Sequence, residues 1–504
     1  MHNTYDVVVV GGGVGGLTAA ALLSKAGASV LVVEGQDGPG GYARALRREP
    51  YTFDPAVHGL SVPDVFQGLL DHLGVADRCS LLPIETYYQA ALPGLRFDVP
   101  IGTLDMLIDA HARAMPAAGD DMRRFIELCS EVHRQAHELP QEAPLRELDR
   151  LARELPLAFK YRMATVADLL EEQVDDPKAR TLCGLSGLLL GLPPSRLSLQ
   201  NFAQSLHAWV VEGGFYFEGG AQTFTDALVH AIRDSGGELA TGAAATEIEV
   251  SDGRATGVVL EGGSRVRASA VISGVDATRT FGALLGTDGL PARFLRKLRR
   301  LRPATSAVTL CAATRLDLQA AGARDTVLVS GWDLEASWEA TQAGRPGAVV
   351  IRLPSLVDPT LAPSGEHVAM VIAFADYESE APWEQQVDHW QEALLGVAEA
   401  TFPGFCDALT YSELLTPESY RRMSMNSAGS TYGWEATPAG AGAGRPAPRS
   451  PVSGLYLAGS WTQPGGCFLR STVSGVFTSR LAMHDFGIGD RNDGFQHASL
   501  PPLC

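Results

Sequence analysis

A stretch near the N-terminus, residues 5–34, constrains the fold more than any other part of the sequence. It contains a short β-branched run (6–10), a glycine-rich turn, an apolar helical segment (17–26) and a second β-branched run, Val30–Val33. This order of patterns predicts a buried strand, a turn, a helix and a second buried strand. We therefore expect an α/β fold in which a parallel, doubly wound sheet grows from this unit.

The glycine turn has the spacing of a dinucleotide-binding loop. Gly11, Gly13 and Gly16 form a G-x-G-x-x-G pattern, in which the first glycine permits the tight turn, the second lets a pyrophosphate approach, and the third allows close helix packing. The helix N-terminus offers free N–H groups to the phosphates. Glu34 ends the second strand, where a carboxylate can accept hydrogen bonds from both ribose hydroxyls. A purely structural turn is the alternative, but it leaves this complete setting unexplained.

A second glycine turn favours a flavin dinucleotide over NAD. Gly40 and Gly41 are followed by three arginines between residues 44 and 48, one of which could neutralise a pyrophosphate. A ligand whose chain continues past the first loop explains both turns. His58 lies on the extended segment that follows, and it is the best candidate for a titrating catalytic group near the cofactor. A structural or cofactor-contacting role for His58 is an equal alternative.

Composition limits the class of protein and its partners. The 504 residues suffice for two or three domains, and their net charge of −18 disfavours nucleic acid as a partner. Seven scattered cysteines without zinc-ligand spacing predict a cytoplasmic protein with no metal site. Residues 293–302 are strongly basic, and they form either a solvated helix face or a peripheral contact with an anionic membrane. No feature of the sequence indicates the oligomeric state.

Alternating blocks of pattern predict two discontinuous domains. We expect a cofactor domain formed by residues 1–75, 205–290 and 420–487, a substrate domain formed by 76–204 and 291–419, and a tail at 488–504. The first insert is amphipathic and helical in pattern, and its apolar run at 182–192 predicts either core or the wall of an apolar tunnel. The second insert predicts strands covered by helices, an arrangement that suits a substrate chamber.

The final segment, residues 454–484, predicts a strand, a glycine–proline loop and a helix that begins near Leu469. A helix N-terminus there suits the negative charge that develops at N1–C2=O of a reduced flavin. Gly440 to Gly444 lacks a strand–turn–helix setting and predicts a flexible linker. With a single dinucleotide fingerprint, we expect reoxidation by oxygen, a quinone or another acceptor rather than a built-in NAD(P)H site.

These motifs, in this order, resemble the phytoene desaturase/carotenoid isomerase branch of the FAD-dependent amine oxidase-like superfamily over nearly the whole chain. The resemblance is carried by the first glycine loop with Glu34 and by segments 40–41, 53–54, 214–220, 429–433, 455–459 and 462–466. It implies a Rossmann-like FAD-binding domain with an α+β substrate domain. It also implies hydride transfer between a substrate C–H bond and flavin N5, with an apolar polyene as substrate.

The resemblance further implies which residues bind FAD. The first loop would hold the pyrophosphate, Glu34 the adenosine ribose, and the backbone of Ala245 the adenine. The second turn would line the pyrophosphate and the ribityl chain, and the closing segment would surround the ribityl chain and the isoalloxazine. The implied FAD-binding residues are Gly11, Gly12, Gly13, Val14, Gly15, Gly16, Glu34, Gly41, Tyr42, Ala43, Arg44, His58, Ala245, Gly459, Ser460, Ser471, Thr472 and Val473.

The sequence departs from the family pattern at the flavin face and its entrance. Tyr42 stands at a position that is often basic in the family, so Arg44 is expected to take over that role. Phe217 replaces a common proline, and residues 467–470 (Cys-Phe-Leu-Arg) replace a glycine and a valine–proline step. The departures leave FAD as the expected cofactor and weaken the inference about substrate. Cys467 could form a flavin thioether, although a small residue in a tight loop explains it equally well.

Four functions are compatible with these residues. The leading one is an FAD-dependent desaturase or dehydrogenase of an apolar, unsaturated metabolite. The second is an amine oxidase, for which Tyr432, Trp434 and Trp461 could supply an aromatic cage. The third is a redox-neutral isomerase or a saturase, which would share the same residues. The fourth is a non-catalytic lipid escort similar to the Rab GDP-dissociation inhibitors, which have lost part of the FAD fingerprint that this chain retains.

Overall fold

A computed structural model of the protein describes residues 2–57, 59–139 and 147–488. The strands in these ranges are β1 Thr4–Val10, β2 Val30–Val33, β3 Leu46–Arg48, β4 Tyr51–Phe53, β5 Leu60–Ser61, β6 Leu81–Ile84, β7 Thr86–Leu92, β8 Leu95–Pro100, β9 Gly214–Phe217, β10 Glu238–Ala240, β11 Ala245–Ser251, β12 Arg254–Leu260, β13 Arg265–Ser273, β14 Ser306–Thr314, β15 Thr326–Val329, β16 Ala348–Arg352, β17 His367–Ala375, β18 Leu409–Leu415 and β19 Leu455–Leu457. The α-helices are α1 Val14–Lys25, α2 Pro63–Leu73, α3 Leu104–Ala114, α4 Gly119–His137, α5 Leu148–Glu154, α6 Pro156–Lys160, α7 Val166–Gln173, α8 Pro177–Gly184, α9 Leu199–Val210, α10 Ala221–Asp234, α11 Ala277–Arg279, α12 Ala292–Arg300, α13 Leu334–Gln342, α14 Val387–Thr401, α15 Pro417–Ser424 and α16 Phe468–Phe486.

The first large sheet has the order β10-β2-β1-β13-β12-β11, and its β10, β2, β1 and β13 run parallel. Helices α1, α10 and α16 pack together on one face. The sequence predicts two short strands at 265–267 and 270–273, but both belong to β13. The first half of β13 pairs with the antiparallel β12 and the second half with the parallel β19, so its pattern changes midway. The predicted doubly wound α/β fold is confirmed.

The second large sheet has the order β18-β14-β17-β16-β15-β7-β8 and is antiparallel except between β15 and β7. Alternate residues of β16 face opposite sides: Val349 and Ile351 pack against Trp390 of α14, whereas Val350 lies on the other face. The predicted sheet covered by a helix is therefore confirmed. Strands β7 and β8 lie in the first insert, where helices alone are predicted, and they join this sheet.

The helical insert differs from its prediction in two places. A single helix is predicted over 145–163, but Pro156 begins a second helix, and residues 145 and 146 lie outside the described ranges. Proline favours the first turn of a helix because its missing N–H would have no intrahelical partner there. In the apolar run, Leu185 and Leu188 are buried, while Leu189 and Leu190 line a cavity. The run was predicted to form either hydrophobic core or a cavity wall, and its residues do both.

The basic segment forms α12, which is amphipathic. Phe294, Leu295 and Leu298 pack against the core of the first sheet, while Arg293 and Arg296 are exposed. Within the described part of the chain, no helix combines the length and the apolar character needed to cross a membrane.

Candidate functional site

A cavity of about 280 Å³ is lined by residues of both large sheets. One end is formed by the turn after β1, the end of β2 and the second glycine turn. The other end is formed by β16, β17, α9 and the 3-10 helix Leu185–Leu190. The segment between β19 and α16 lines the middle. The cavity therefore connects the predicted dinucleotide loops with the predicted substrate chamber.

The first glycine loop is open on one side and closely packed on the other. A Cβ atom at Gly13 would meet nothing within 4 Å, whereas one at Gly15 would lie 2.5 Å from the backbone N of Gly459. Helix α1 begins at Val14, no side chain caps it, and its first turn contains no acidic residue. Free N–H groups and the positive end of the helix dipole therefore face the space beside Gly13.

Glu34 is held in a fixed orientation at the cavity wall. Its side chain is buried, its Oε2 accepts a hydrogen bond from the N–H of Gly12 over 2.6 Å, and its Oε1 accepts one from the N–H of Gln36 over 2.8 Å. A carboxylate oxygen can accept more than one hydrogen bond. Glu34 can therefore still accept hydroxyl groups of a ribose.

The second glycine turn is joined directly to the first, because Gly40 donates its N–H to the carbonyl of Gly12 over 2.7 Å. Tyr42 donates its hydroxyl to the carbonyls of Gly429 and Ser430, and burial raises the pKa of this tyrosine. Arg44 lines the cavity and forms an ion pair with Asp37 at 2.7 Å. The expectation that Arg44 takes the basic role of position 42 stays a prediction.

The segment after β19 supplies a second helix N-terminus to the cavity. Gly459, Ser460 and Ser471 line it, and α16 begins at Phe468, one residue before the predicted start. No side chain caps α16, and its first turn contains no acidic residue.

Other predicted FAD-binding residues lie outside the cavity lining or outside the described residues. Gly12, Gly16, Ala245, Thr472 and Val473 are buried but are not among the lining residues. His58 lies outside the described residues, so its predicted catalytic and cofactor-binding role stays a prediction.

The donors of this cavity fit FAD. Two helices, α1 and α16, present uncapped N-termini to one continuous space, and Gly13 leaves that space unobstructed. The N-terminus of α1 suits the negative charge of a pyrophosphate, and that of α16 suits the charge at N1–C2=O of a reduced flavin. Glu34 suits the adenosine ribose.

Three arginines that the sequence analysis did not assign to the site line the cavity. Arg445 is fully buried and donates hydrogen bonds to four backbone carbonyls, Arg352 pairs with Asp325, and Arg470 donates to the side chains of Asn201 and Gln204. Arg470 falls in the segment that departs from the family pattern, which is a signal that could have identified it. Arg445 and Arg352 carry no such signal in the sequence.

The chamber end has an apolar and aromatic wall. Leu189, Leu190, Val350, Ile372 and Phe374 line it. The rings of Tyr87 and Trp209 also line it, and they stack with centroids 4.8 Å apart.

The proposed aromatic cage is incomplete. Tyr432 and Trp461 line the cavity, but Trp434 is fully buried in the core of the first sheet, with its ring edge-on to Trp461. Trp434 also donates its Nε1–H to the carbonyl of Trp461 over 2.9 Å. This position gives Trp434 a packing role.

Comparisons with known proteins agree with this geometry. Residues 14–483 match the family model described as flavin containing amine oxidoreductase. The chain is 26% identical to prolycopene isomerase 1 of an Oncidium hybrid cultivar, over 96% of this chain and 84% of the relative. It is 27% identical to the neurosporene-forming phytoene desaturase of Rhodobacter capsulatus, over 94% and 93%. The structure of putrescine oxidase bound to putrescine matches 96% of this chain and 99% of that chain, with a TM-score of 0.69 and 18% identity.

Proposed function

The chain belongs to the flavin-containing amine oxidoreductase family, in its phytoene desaturase/carotenoid isomerase-like branch, and we propose that it dehydrogenates an apolar, unsaturated metabolite of polyene or isoprenoid type. Its cofactor is FAD, and it is a flavin-dependent oxidoreductase of the amine oxidase superfamily. When bound, FAD supplies hydride transfer between a substrate C–H bond and its N5 atom.

The observation that carries this proposal is the continuity of the cavity with an apolar chamber. Val350, Ile372 and Phe374 form one wall, and Leu189 and Leu190 line another part. A long hydrocarbon gains free energy by leaving water for such a wall, about 25 cal/mol for each Å² of apolar surface buried. The chamber therefore favours a substrate whose binding depends on apolar area.

The residues at the cofactor end bind and orient. The N–H groups at the start of α1 bind the pyrophosphate, and Glu34 accepts the ribose hydroxyls. The start of α16 stabilises negative charge at N1–C2=O of the flavin. The apolar wall excludes water from the bond that reacts. We propose these roles for the chain's own groups because the donors lie along one cavity.

The charge of the lining residues disfavours an amine oxidase. Among the lining residues that the structure describes, Glu34 is the single carboxylate, while Arg445 and Arg470 line the same cavity and Arg352, which also lines it, is paired with Asp325. Simple amines are cations at neutral pH, and nearby guanidinium groups repel them. Burial of Trp434 also removes one side of the aromatic cage.

An isomerase or saturase uses the same residues, because the geometry of the site is the same for either direction of electron flow. The non-catalytic lipid escort predicts that the FAD fingerprint is dispensable. The intact loops at Gly13 and Glu34 count against that prediction, because a protein that binds lipid alone has no need of them. Product analysis therefore decides among the remaining candidates.

The experiment incubates the FAD-loaded protein with phytoene in micelles, with a quinone as electron acceptor, and analyses the products by chromatography and mass. We expect a product that has lost two hydrogens and absorbs at longer wavelength. A product of unchanged mass and altered double-bond geometry would favour the isomerase. Oxidation of putrescine with unchanged phytoene would replace the proposal with an amine oxidase.

A further inference from the structure

Arg352 is a charged residue on an otherwise apolar part of the chamber wall. It ends β16, and its side chain is only 6% exposed. The other lining residues of β16 and its neighbour β17 are Val350, Ile372 and Phe374. Burial of a guanidinium beside such residues costs free energy unless its N–H groups find acceptors. The position therefore needs an explanation beyond packing.

The protein satisfies this guanidinium only in part. Nη1 of Arg352 forms an ion pair with Oδ2 of Asp325 at 3.0 Å, while Oδ1 of Asp325 accepts the N–H of Leu353 over 2.7 Å. Nε of Arg352 is fully shielded and has no hydrogen-bond partner among the described residues. A buried donor without an acceptor costs free energy, and the cost is larger for a charged group. The site lacks one acceptor atom.

Aromatic side chains also line the cavity. Tyr87 stacks on Trp209, and Tyr432 lines the same cavity. Burial raises the pKa of Tyr87 and of Tyr432, and the charge of Arg352 partly opposes that rise at both residues. Tyr432 already donates its hydroxyl to the carbonyl of Leu189 over 2.7 Å.

We propose that Arg352 donates a hydrogen bond to a neutral oxygen, a carbonyl or a hydroxyl, at one end of the unsaturated substrate. This inference rests on the proposed function and adds a preference within its substrate class: polyenes with an oxygen at one end bind more tightly than hydrocarbons such as phytoene, which still bind. Asp325 balances the charge of Arg352, so an added carboxylate would leave an uncompensated negative charge beside the pair. A neutral oxygen can accept from the part of Arg352 that lines the cavity without that cost.

The test measures binding to the FAD-loaded protein by quenching of tryptophan fluorescence. The probes are retinol, its dehydration product anhydroretinol, which is a hydrocarbon of the same carbon skeleton with one more double bond, and retinoic acid. We expect retinol to bind about 10-fold more tightly than anhydroretinol, because a satisfied buried donor is worth roughly one factor of ten. Retinoic acid is expected to bind more weakly than retinol.

The variant is the double substitution Arg352→Met with Asp325→Asn, which removes both charges and keeps an amide oxygen for the N–H of Leu353. It is expected to bind retinol no more tightly than anhydroretinol, with anhydroretinol binding unchanged. Arg315→Met is the matched control, because Arg315 follows β14 of the same sheet and its side chain is 70% exposed. Unchanged flavin absorbance and retained anhydroretinol binding verify that the double variant is folded.

Three results would overturn the inference: equal binding of retinol and anhydroretinol by the wild-type protein, tighter binding of retinoic acid, or an undiminished preference for retinol in the double variant. These readouts do not depend on turnover. Loss of the proposed redox function would appear instead as polyenes that bind and are never oxidised, so the two failures are distinguishable.

Discussion

Nη1 of Arg445 donates a hydrogen bond to the carbonyl oxygen of Ser460 over 2.5 Å, across 15 residues of sequence. The same guanidinium donates to the carbonyls of Trp434 and Gly440. Arg445 is 1% exposed, and Lys297 donates in turn to the carbonyl of Arg445. This network fixes the loop before β19 to the cavity-lining loop after it. Residues 440–444, predicted as a flexible linker, instead form a turn in which the carbonyls of Gly440 and Ala443 accept hydrogen bonds from Arg445 and from the partly buried Lys297.

Replacement of Arg445 should destabilise the protein severely. Arg445→Met leaves several buried carbonyls without donors, and we expect the free energy of unfolding in urea to fall by roughly 3–5 kcal/mol. Arg445→Lys should lower the free energy of unfolding nearly as much, because one ammonium group cannot reproduce the planar arrangement of five donors in a guanidinium. Arg315→Met, on an exposed side chain, should stay within about 0.5 kcal/mol of wild type. A stable Arg445→Met protein would contradict this role.

Much of the fold was predictable because it rests on local patterns. Strand β2 has its predicted bounds, as do strand β14, which the sequence predicts over 306–314, and helix α7, which it predicts over 166–173; each is a run whose own residues determine its structure. Strands β7 and β8 were missed because they lie in a block of amphipathic helices; β8 pairs with β7, and β7 joins the sheet through β15, more than 200 residues away. Pairing over that distance leaves no periodicity in the sequence.

Gly13→Ala should weaken FAD binding without unfolding the protein. A Cβ there would meet no protein atom within 4 Å and would project into the space that the pyrophosphate is expected to fill. We expect FAD affinity to fall by about 10-fold or more, measured by fluorescence titration of cofactor-free protein. Gly396→Ala, in α14, also meets no atom within 4 Å and should leave FAD affinity unchanged. Equal FAD affinity in the two variants would contradict the assignment of the pyrophosphate site to this loop.

His133 should make the protein less stable in acid. It lies in α4 with its ring 4.4 Å from that of His207, and burial, with the charges of His207, His137 and Arg470, lowers its pKa to about 3. The unfolded chain binds this proton near pH 6.5 and the folded chain does not, so stability falls as the pH falls below 6.5.

The predicted loss is about 2 kcal/mol between pH 6.5 and pH 5. His133→Gln should flatten this part of the curve in urea unfolding. His230→Gln, on the exposed face of α10, should not change it. A curve that is equally steep in wild type and His133→Gln would show that His133 takes no part.

Asp54 should have the opposite effect. Burial raises the pKa of Asp54 to about 6, while the hydroxyl of Tyr216 and the N–H of Ala221 partly offset the rise by donating to Oδ2. Oδ1 is buried without a partner among the described residues. The folded state holds the proton more tightly than the unfolded state, so stability falls as the pH rises from about 4 to about 6 and stays lower above that.

Asp54→Asn removes this charge and keeps an oxygen to accept both hydrogen bonds. We expect it to raise the free energy of unfolding at neutral pH by up to about 3 kcal/mol and to abolish the dependence between pH 4 and 6. Asp149→Asn, at an exposed position of α5, serves as the control. Destabilisation at neutral pH by Asp54→Asn would mean that the charge itself is needed.

The basic face of α12 is proposed to contact an anionic membrane by charge alone. Phe294, Leu295 and Leu298 are committed to the core and cannot insert into lipid, whereas Arg293 and Arg296 are exposed. Binding to phosphatidylglycerol vesicles should therefore be measurable by sedimentation near 0.05 M salt and lost near about 0.5 M. Arg293→Gln with Arg296→Gln should abolish it. Binding that survives high salt would contradict an electrostatic contact.

The candidate site, like the fold, has residues that the sequence predicts and residues that it does not. Gly13 and Glu34 were predictable, because a spacing motif fixes them relative to a phosphate and a ribose, and Ser460 was implied by the family resemblance. Arg352 was not, because in sequence it is a single charge that ends a run of apolar residues. Its importance comes from β16 and β17 turning one face to the cavity, which is a property of the assembled sheet.

The measurement that tests the central claim most directly is an anaerobic titration of the FAD-loaded protein, followed at the flavin band near ~450 nm. The account predicts that a bound polyene such as phytoene bleaches this band, while putrescine and benzylamine leave it unchanged. Rapid bleaching by the amines and none by the polyene would contradict it. A protein that takes up no FAD at all would contradict the assignment of the cavity itself.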